Sequence, residues 1–308
     1  MSGVAARRWV WLRDSDLLYS FRRSPVAIGS ALVALACVIG AAFAPWIAPH
    51  NPFDIASLSL LDSFKPPLPA ADADWAYPLG TDSQGRDVLS AIMFGARISL
   101  LVGLSAVVFA VLLGVAVGLV AGYAGGVLDA LLMRAADVQL TFPAILMALL
   151  VNGVISAALP ADTRARVQIY VLIFAIGISR WPQFARTVRG STLVERNKDY
   201  VAAARVIGLS RPRILATHIL PNVLGPVFVV GTLTLGLAIL DEATLSFLGV
   251  GLPPTQPSLG TLVRIGEDFL FSGQWWVTIF PGAALVLIVL AINLFGDWLR
   301  DALNPRLR

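Results

Sequence analysis

Long apolar runs, separated by short polar stretches that carry arginine, set the pattern of this chain. An α-helix rises about 1.5 Å per residue and must cross roughly 30 Å of hydrocarbon, so a run of about 20 apolar residues is the unit that spans a membrane. Six runs meet that length, at 26–47, 98–121, 139–159, 167–187, 223–247 and 277–298. The fourth is the least apolar. Its hydrophobic part, Val167 to Ser179, is short and is followed by Arg180, Trp181 and Pro182, which permits a span if the Trp lies at the interface and the Arg snorkels outward. The first run ends in Ala42-Phe43-Ala44, the small-residue spacing of a signal-peptide cleavage site. The long polar stretch before it and its spanning length favour an uncleaved anchor. The pattern predicts an all-α membrane protein with six transmembrane helices.

Composition agrees: 57% of the 308 residues are hydrophobic and only 14% charged, too apolar for an ordinary soluble domain. The net charge of +4 does not indicate nucleic acid, because the basic residues are spread between apolar runs and not gathered on one face. The lone Cys37 excludes an internal disulfide, and no Cys/His cluster has metal-ligand spacing.

Charge also orients the chain. With six spans both termini share a side, and that side holds 17 of the 23 Lys and Arg residues, Arg180 counted among them; the other holds only Lys65, Arg86, Arg97, Arg164, Arg166 and Arg264. The positive-inside rule makes the richer side cytoplasmic. The expected organisation is a cytoplasmic segment at 1–25, a first span at 26–47, an extracytoplasmic segment at 48–97, a five-helix core at 98–298 and a cytoplasmic tail at 299–308. The core includes a cytoplasmic loop at 188–222 and an external loop at 248–276.

The cytoplasmic loop holds the most informative string, Asp199-Tyr200-Val201-Ala202-Ala203-Ala204-Arg205-Val206-Ile207-Gly208-Leu209-Ser210-Arg211-Pro212. It reads as a short helix, a break at Gly208 and a second helix capped by Ser210. Tyr200, Ala204 and Ile207 fall on one face, and the small Ala202, Ala203 and Ala204 admit a close-packed neighbour. Such a helix needs a partner: either its own bundle or another protein.

This string resembles the EAA loop of ATP-binding-cassette (ABC) importer permeases. Ala203, Ala204, Gly208, Leu220 and Pro221 stand at matching places, whereas Ala202 replaces the usual Glu and His218 a frequent Ile. Further strings are similar to the second, C-type permease of the dipeptide, oligopeptide and nickel group. These are Pro78 to Ser90, with Gly80, Asp82, Gly85, Arg86 and Asp87, then Gly122 to Gly126 followed by Asp129, Arg134 and Asp137, then Glu242 to Gly249, and Asn293 to Asp301 with Asp297. The resemblance implies a type I ABC importer permease fold with a cytoplasmic coupling helix. It also implies the bacterial cytoplasmic membrane as location, and, as partners, a homologous B-type permease, two ATPase domains or subunits, an extracytoplasmic substrate-binding protein and membrane lipid. ATP and Mg would be bound by the ATPases, with no cofactor or metal in this chain and no nucleic acid as partner. Tyr200, Ala202, Ala203, Ala204, Arg205, Gly208, Arg211 and Pro221 are the residues expected to couple to the ATPase.

Other polar residues carry weaker signals. Asp82, Arg86 and Asp87 are expected to pair with one another in a structural turn, and Asp129, Arg134 and Asp137 to form local ion pairs at helical spacing. Carboxylates in apolar spans are costly, and Asp241 and Glu242, being adjacent, cannot face the same way on a helix: one is expected to line the substrate pathway and the other to pair within the bundle or with the partner subunit. Asn152 and Ser156 share one helical face and either line the pathway or bond between helices. Pro226, Gly231 and Gly236 are expected bending points of the fifth span. The chain carries no Walker motif, Gly-x-Ser-x-Gly or His-Glu-x-x-His, so no enzyme activity of its own is expected. The rival readings are an ion-coupled secondary transporter, for which no inverted repeat is evident, and an intramembrane hydrolase, which lacks a nucleophile and base. The resemblance implies import of short peptides, di- to oligopeptides, with nickel complexes, haem or glutathione as the alternative substrates.

Overall fold

A computed structural model describes residues 16–54, 58–70, 72–253 and 255–303. Regular structure among them is helical apart from one isolated antiparallel bridge between Thr81 and Asp87. The short α1 (Asp16–Arg23) leads into the apolar α2 (Pro25–Ala42). Ser24 starts α2: its hydroxyl accepts the Ala27 amide, and Pro25 at the first helical position loses no hydrogen bond. The first predicted span is not one helix. It stops at Ala42, and a separate turn, α3 (Ala44–Ile47), follows, because Pro45 has no N–H to continue the ladder onto Ala41.

The second span is far longer than predicted. Helix α4 runs Val88–Ala124, 37 residues, because the Asp87 carboxylate accepts the amides of Leu89 and Ser90 and so starts it ten residues early. It ends where Gly125 takes φ of 68°, a conformation that suits glycine. The third predicted span is split into α5 (Gly126–Leu140) and α6 (Ala144–Ala158), bent by 95° across the turn before Pro143. Helix α7 (Ala161–Glu195) contains the fourth span and the first residues of the predicted cytoplasmic loop. Then come α8 (Asp199–Val206), α9 (Arg211–Ile214), a π-turn (Leu215–Ile219), α10 (Leu220–Phe247), α11 (Leu259–Leu270) and α12 (Trp276–Leu303).

By length and composition, four of these segments are apolar enough to cross a membrane: α2, α4, the run from α9 through α10, and α12; the bent pair α5 and α6 makes a fifth if it counts as one span. Helix α7, which carries Arg164, Arg166, Arg180, Arg186 and Arg189, is not among them. Its place explains its composition. Helix α7 packs along most of α4 and also against α6 and α10, so protein, not lipid, surrounds much of its length.

The α4–α7 seam is built on glycine. Gly114, Gly118 and Gly122 recur every four residues on the buried face of α4. A Cβ on Gly114 would strike Phe184 and the Trp181 carbonyl, one on Gly118 would come within 2.6 Å of the Ala185 carbonyl oxygen, and one on Gly122 within 2.7 Å of Thr192. Gly177 answers from α7, lying against Phe109 and the Ala106 carbonyl. Lipid tails are as apolar as leucine, so helices associate in a bilayer by close backbone approach, and small residues at every fourth position allow it. Elsewhere on its surface α4 exposes an apolar stripe of Leu101, Leu104, Val108 and Leu112.

The fifth predicted span lies within one helix. Helix α10 passes through Pro226, Gly231 and Gly236 without a break, and Gly236 instead makes room for the Asn293 side chain of α12. The irregularity lies earlier, in the π-turn ahead of Leu220.

Gly118→Leu is expected to cost the purified chain about 1–3 kcal/mol by overpacking the α4–α7 seam. Thermal unfolding in detergent reads it. Gly29→Leu, on the open face of α2 with nothing within 4 Å, should leave the transition in place.

Candidate coupling turn and buried polar sites

Between α7 and α10 the chain leaves the bundle and returns through α8. Helix α8 ends in a Schellman motif: the Leu209 amide reaches the Ala204 carbonyl at 3.1 Å and the Gly208 amide the Arg205 carbonyl at 3.0 Å. Gly208 takes φ of 81°, which suits glycine, so the sequence-predicted break is in place. Ser210 stands at the next N-cap position, but its side chain makes no capping hydrogen bond, and the helix it was expected to cap is the four-residue α9 merging into the π-turn.

Helix α8 has two faces. Val201 and Ala204 are buried in the same core as Val188, Ile214 and Ile219. Ala202, Ala203, Val206 and Ile207 face out, Val206 at 87% and Ile207 at 73% exposure. Ile207 therefore does not share the inner face with Tyr200 and Ala204: as the C-cap residue it has left the helical register. The turn thus lies on its own bundle and still presents an outer apolar face.

Tyr200 ties this turn to two long helices. Its hydroxyl donates to Glu195 at the end of α7 at 2.5 Å and accepts from the Asn222 amide of α10 at 3.2 Å. Lys198 pairs with the same Glu195 at 2.6 Å. Burial and the adjacent Glu195 carboxylate push the Tyr200 hydroxyl up to about 12, so it stays protonated and able to donate at any ordinary pH. Arg196 donates to the Gly122 carbonyl at 2.8 Å, at the C-terminal end of α4, where a cation also complements the helix dipole. Arg205 lies over the Tyr123 ring at 5.4 Å, and with Arg211 and Leu215 they line a cavity of about 610 Å³ between the turn and the end of α4. Pro221 is exposed in the first turn of α10.

Within the bundle, the intramembrane carboxylates are both engaged. Arg180 of α7 grips one oxygen of Asp241 on α10 through Nε at 2.9 Å and Nη2 at 2.6 Å, and both residues are buried. Arg180 therefore does not snorkel to the cytoplasmic end; it lies midway along α7. Glu242, wholly buried, accepts from Ser99 of α4 and Ser246, each at 2.7 Å. The adjacent carboxylates do point to different neighbours, but in this chain both point at protein.

Trp181 is likewise interior, not interfacial: its indole N–H donates to the Gln139 side chain at 2.9 Å. The other end of the Gln139 amide donates to the Ile178 carbonyl. That is the carbonyl that Pro182, having no N–H, leaves without its helical partner, so Gln139 repairs the ladder that the proline opens. Asn152 of α6 and Gln168 of α7 both donate to the Val250 carbonyl beyond α10, at 2.9 and 3.0 Å, and Gln168 also reaches Asn152 at 3.2 Å. Ser156 lies 3.5 Å from Gln168, and this group lines a cavity of about 400 Å³.

The signature residues are arranged differently from expectation. Asp82 accepts the backbone amides of Gln84 and Arg86 at 2.8 and 2.9 Å, and Asp87 caps α4, so neither side chain forms an ion pair with Arg86. Burial raises the Asp82 carboxyl against the pull of those amides. The Arg86 Nε is buried without a partner among the described residues. Gly80 and Gly85, at φ of 77° and 73°, let the segment fold tightly: a Cβ on Gly80 would lie 2.5 Å from the Lys65 carbonyl oxygen, and one on Gly85 would strike the Ser59 carbonyl. The ion pairs of α5 are not local. Asp129 takes a two-point grip from Arg189 at 2.5 and 2.7 Å and Asp137 pairs with Arg186 at 2.7 Å, both on α7, while Arg134 is exposed and in no ion pair among the described residues. Asp297 is exposed near the end of α12.

Gln139, Gln168 and Glu195 were missed from sequence. The two glutamines carried a signal, since an amide inside an apolar run needs partners. Glu195 carried none, because a glutamate in a polar loop is ordinary.

An all-helical bundle with apolar spans, an internal arginine-bearing helix and a short apolar-faced helix at one end is the architecture of a membrane transport permease. Residues 110–308 match the family of binding-protein-dependent transport system inner membrane components, and residues 15–67 match the N-terminal membrane domain of oligopeptide transport permease C. Relatives include the dipeptide transport system permease protein DppC of Escherichia coli, 41% identical, and that of Haemophilus influenzae, 37% identical, the matches covering 95% of this chain and 93% and 95% of theirs. The di/tripeptide transport system permease protein DppC of Pseudomonas aeruginosa is 38% identical over 94% of this chain and 91% of its own. A solved chain from the inward-facing MetNI methionine ABC transporter superposes with a TM-score of 0.53 at 19% identity, over 70% of this chain and 96% of its own, a likeness of fold. The chain belongs to the binding-protein-dependent transport system inner membrane components, in their C-type branch.

Removing one partner of the buried ion pair should be costlier than removing both. Arg180→Leu, which strands Asp241, is expected to destabilise the purified chain by about 3–5 kcal/mol, and the double change with Asp241→Leu to recover much of that. Thermal unfolding of the four-member cycle measures it.

Proposed function

We propose that this chain is the C-type permease subunit of an ATP-driven importer of short peptides, spanning the membrane six times with both termini in the cytoplasm. The six spans are α2, α4, the bent pair α5 and α6, α7, α10 and α12. At about 1.5 Å per residue the 35 residues of α7 are long enough to cross, and neighbouring helices shelter its arginines. The chain itself is not an enzyme: ATP and Mg are handled by two partner ATPases, and substrate arrives from a binding protein into a passage shared with a B-type permease.

The observation that carries this reading is the two-faced α8. Its inner face is fixed to the bundle through Val201, Ala204 and Tyr200, and its outer face of Ala202, Ala203, Val206 and Ile207 is small, apolar and unoccupied within this chain. That outer face docks an ATPase. Ala202, where the resembling loops carry Glu, makes the docking one of shape, without a salt bridge at that position. Motion of the ATPase passes through Tyr200 to Glu195 and Asn222, and so to α7 and α10 together. Arg205, Gly208, Arg211 and Pro221 shape the same turn. Peptide as cargo rests on the full-length likeness to dipeptide permeases; nickel complexes, haem and glutathione are the competing cargoes. Asn152 and Ser156 lie where a pathway can pass, whereas the engagement of Asp241 by Arg180 and of Glu242 by Ser99 supports a holding role for both carboxylates.

Purification with its neighbouring subunits tests this. The wild-type chain is expected to carry ATPase subunits with it and to support ATP-dependent dipeptide uptake in proteoliposomes. Ala203→Trp, on the exposed face, is expected to fold normally and lose at least tenfold in ATPase retention, because an aromatic ring cannot enter an interface shaped for a methyl. Uptake that continues without ATP would refute the reading.

A further inference from the structure

At the end of the bundle opposite α8, a cavity of about 400 Å³ lies between α6, the start of α7, the loop after α10, and α11. Its floor is polar and already assembled. Asn152 and Gln168, both buried, spend their N–H groups on the Val250 carbonyl, which pins the loop against α6 and α7. Above that floor stand two guanidinium groups, Arg164 and Arg264. Arg264 lies directly over Gly249: a Cβ there would be 2.5 Å from its Nη1, so glycine at φ of 82° is what admits the guanidinium.

Among the described residues no carboxylate lines the cavity, and neither Arg164 nor Arg264 enters an ion pair. Arg164 uses one Nη on the Leu159 carbonyl at 3.3 Å, which leaves most of its five N–H donors available. By contrast Arg180, Arg186 and Arg189 on the same helix each hold a carboxylate. Arg164 and Arg264, both exposed on this one cavity, bring two guanidinium groups without an ion-pair partner among the described residues, and carboxylate is the anion whose geometry a guanidinium fork matches. The volume falls in the range of small-molecule sites and takes one end of a short peptide.

We propose that Arg164 and Arg264 bind the terminal carboxylate of the substrate as it passes the outer end of the permease, over the floor made by Asn152 and Gln168. This rests on the peptide-importer reading, since a peptide with a free C-terminus brings the missing anion. A phospholipid phosphate offers similar chemistry from a different source, and the test separates the two.

The complete importer, reconstituted in proteoliposomes with preloaded binding protein, is assayed for uptake of a dipeptide and of the same dipeptide as its C-terminal amide. The double variant Arg164→Gln, Arg264→Gln is expected to raise KM for the free acid about tenfold, the loss of charge-assisted hydrogen bonds, while leaving the amide unchanged. Arg264→Lys, which keeps the charge, should retain most of the acid's uptake, and binding-protein-stimulated ATP hydrolysis should persist in all variants as the check on folding. An unchanged KM for the acid, or an equal loss for acid and amide, overturns the site. So does an effect present in vesicles with phosphatidylglycerol and absent in pure phosphatidylcholine, which would assign the arginines to lipid. A wild-type importer that takes up no peptide under ATP overturns the peptide reading itself, and this site with it.

Discussion

Everything in this bundle depends on how closely α4 and α7 approach. In lipid the hydrophobic effect does not press one apolar helix against another, so cohesion comes from packing and from polar groups that find each other. The ridge of Gly114, Gly118 and Gly122 brings the α4 backbone against Phe184, Ala185, Val188 and Thr192. Once that seam is closed, α7 is sheltered enough to carry arginines, and those arginines gather the other helices: Arg189 and Arg186 hold α5, and Arg180 holds α10.

Where water cannot reach, a group capable of hydrogen bonding is costly to leave unpaired, and several polar groups of the interior are placed to meet that requirement. Pro182 shows it most directly. The proline costs α7 one N–H, and Gln139, from the neighbouring α5, supplies the replacement to the Ile178 carbonyl while holding Trp181 with its other end. Glu242 is held by serines, not by a cation, with Ser99 reaching it from α4. Each of these contacts joins two helices or mends one, and none of them points toward a free surface.

At the α8 end the same economy fixes a short helix to its neighbours. The Schellman turn at Gly208 and the burial of Val201 and Ala204 fix α8 on the bundle, and Tyr200 connects it to the last turn of α7 and the first turn of α10. Through Tyr200, α8 is thus hydrogen-bonded to both long helices at once. The π-turn immediately before α10 is the irregular link in that path.

Much of this was legible in the chain itself. Apolar run length located α4, α10 and α12, because the bilayer imposes one length on every span, and Gly208 announced the break after α8 because few other residues take that backbone conformation. Boundaries were less legible: Asp87 starts α4 early by capping, and the third run conceals a 95° bend, since hydropathy averages over a break that preserves apolar character. The partners of charged residues were the least legible. Local spacing paired Asp129, Arg134 and Asp137 with one another, yet the ion pairs of Asp129 and Asp137 lie 60 and 49 residues away on α7. Sequence by itself determined that the chain lives in a membrane and carries a helix-Gly-helix turn, because lipid and left-handed backbone each demand particular residues. Only the tertiary structure decided which buried charge meets which, because in a medium without water each such group takes the partner that packing brings within reach, wherever along the chain it lies.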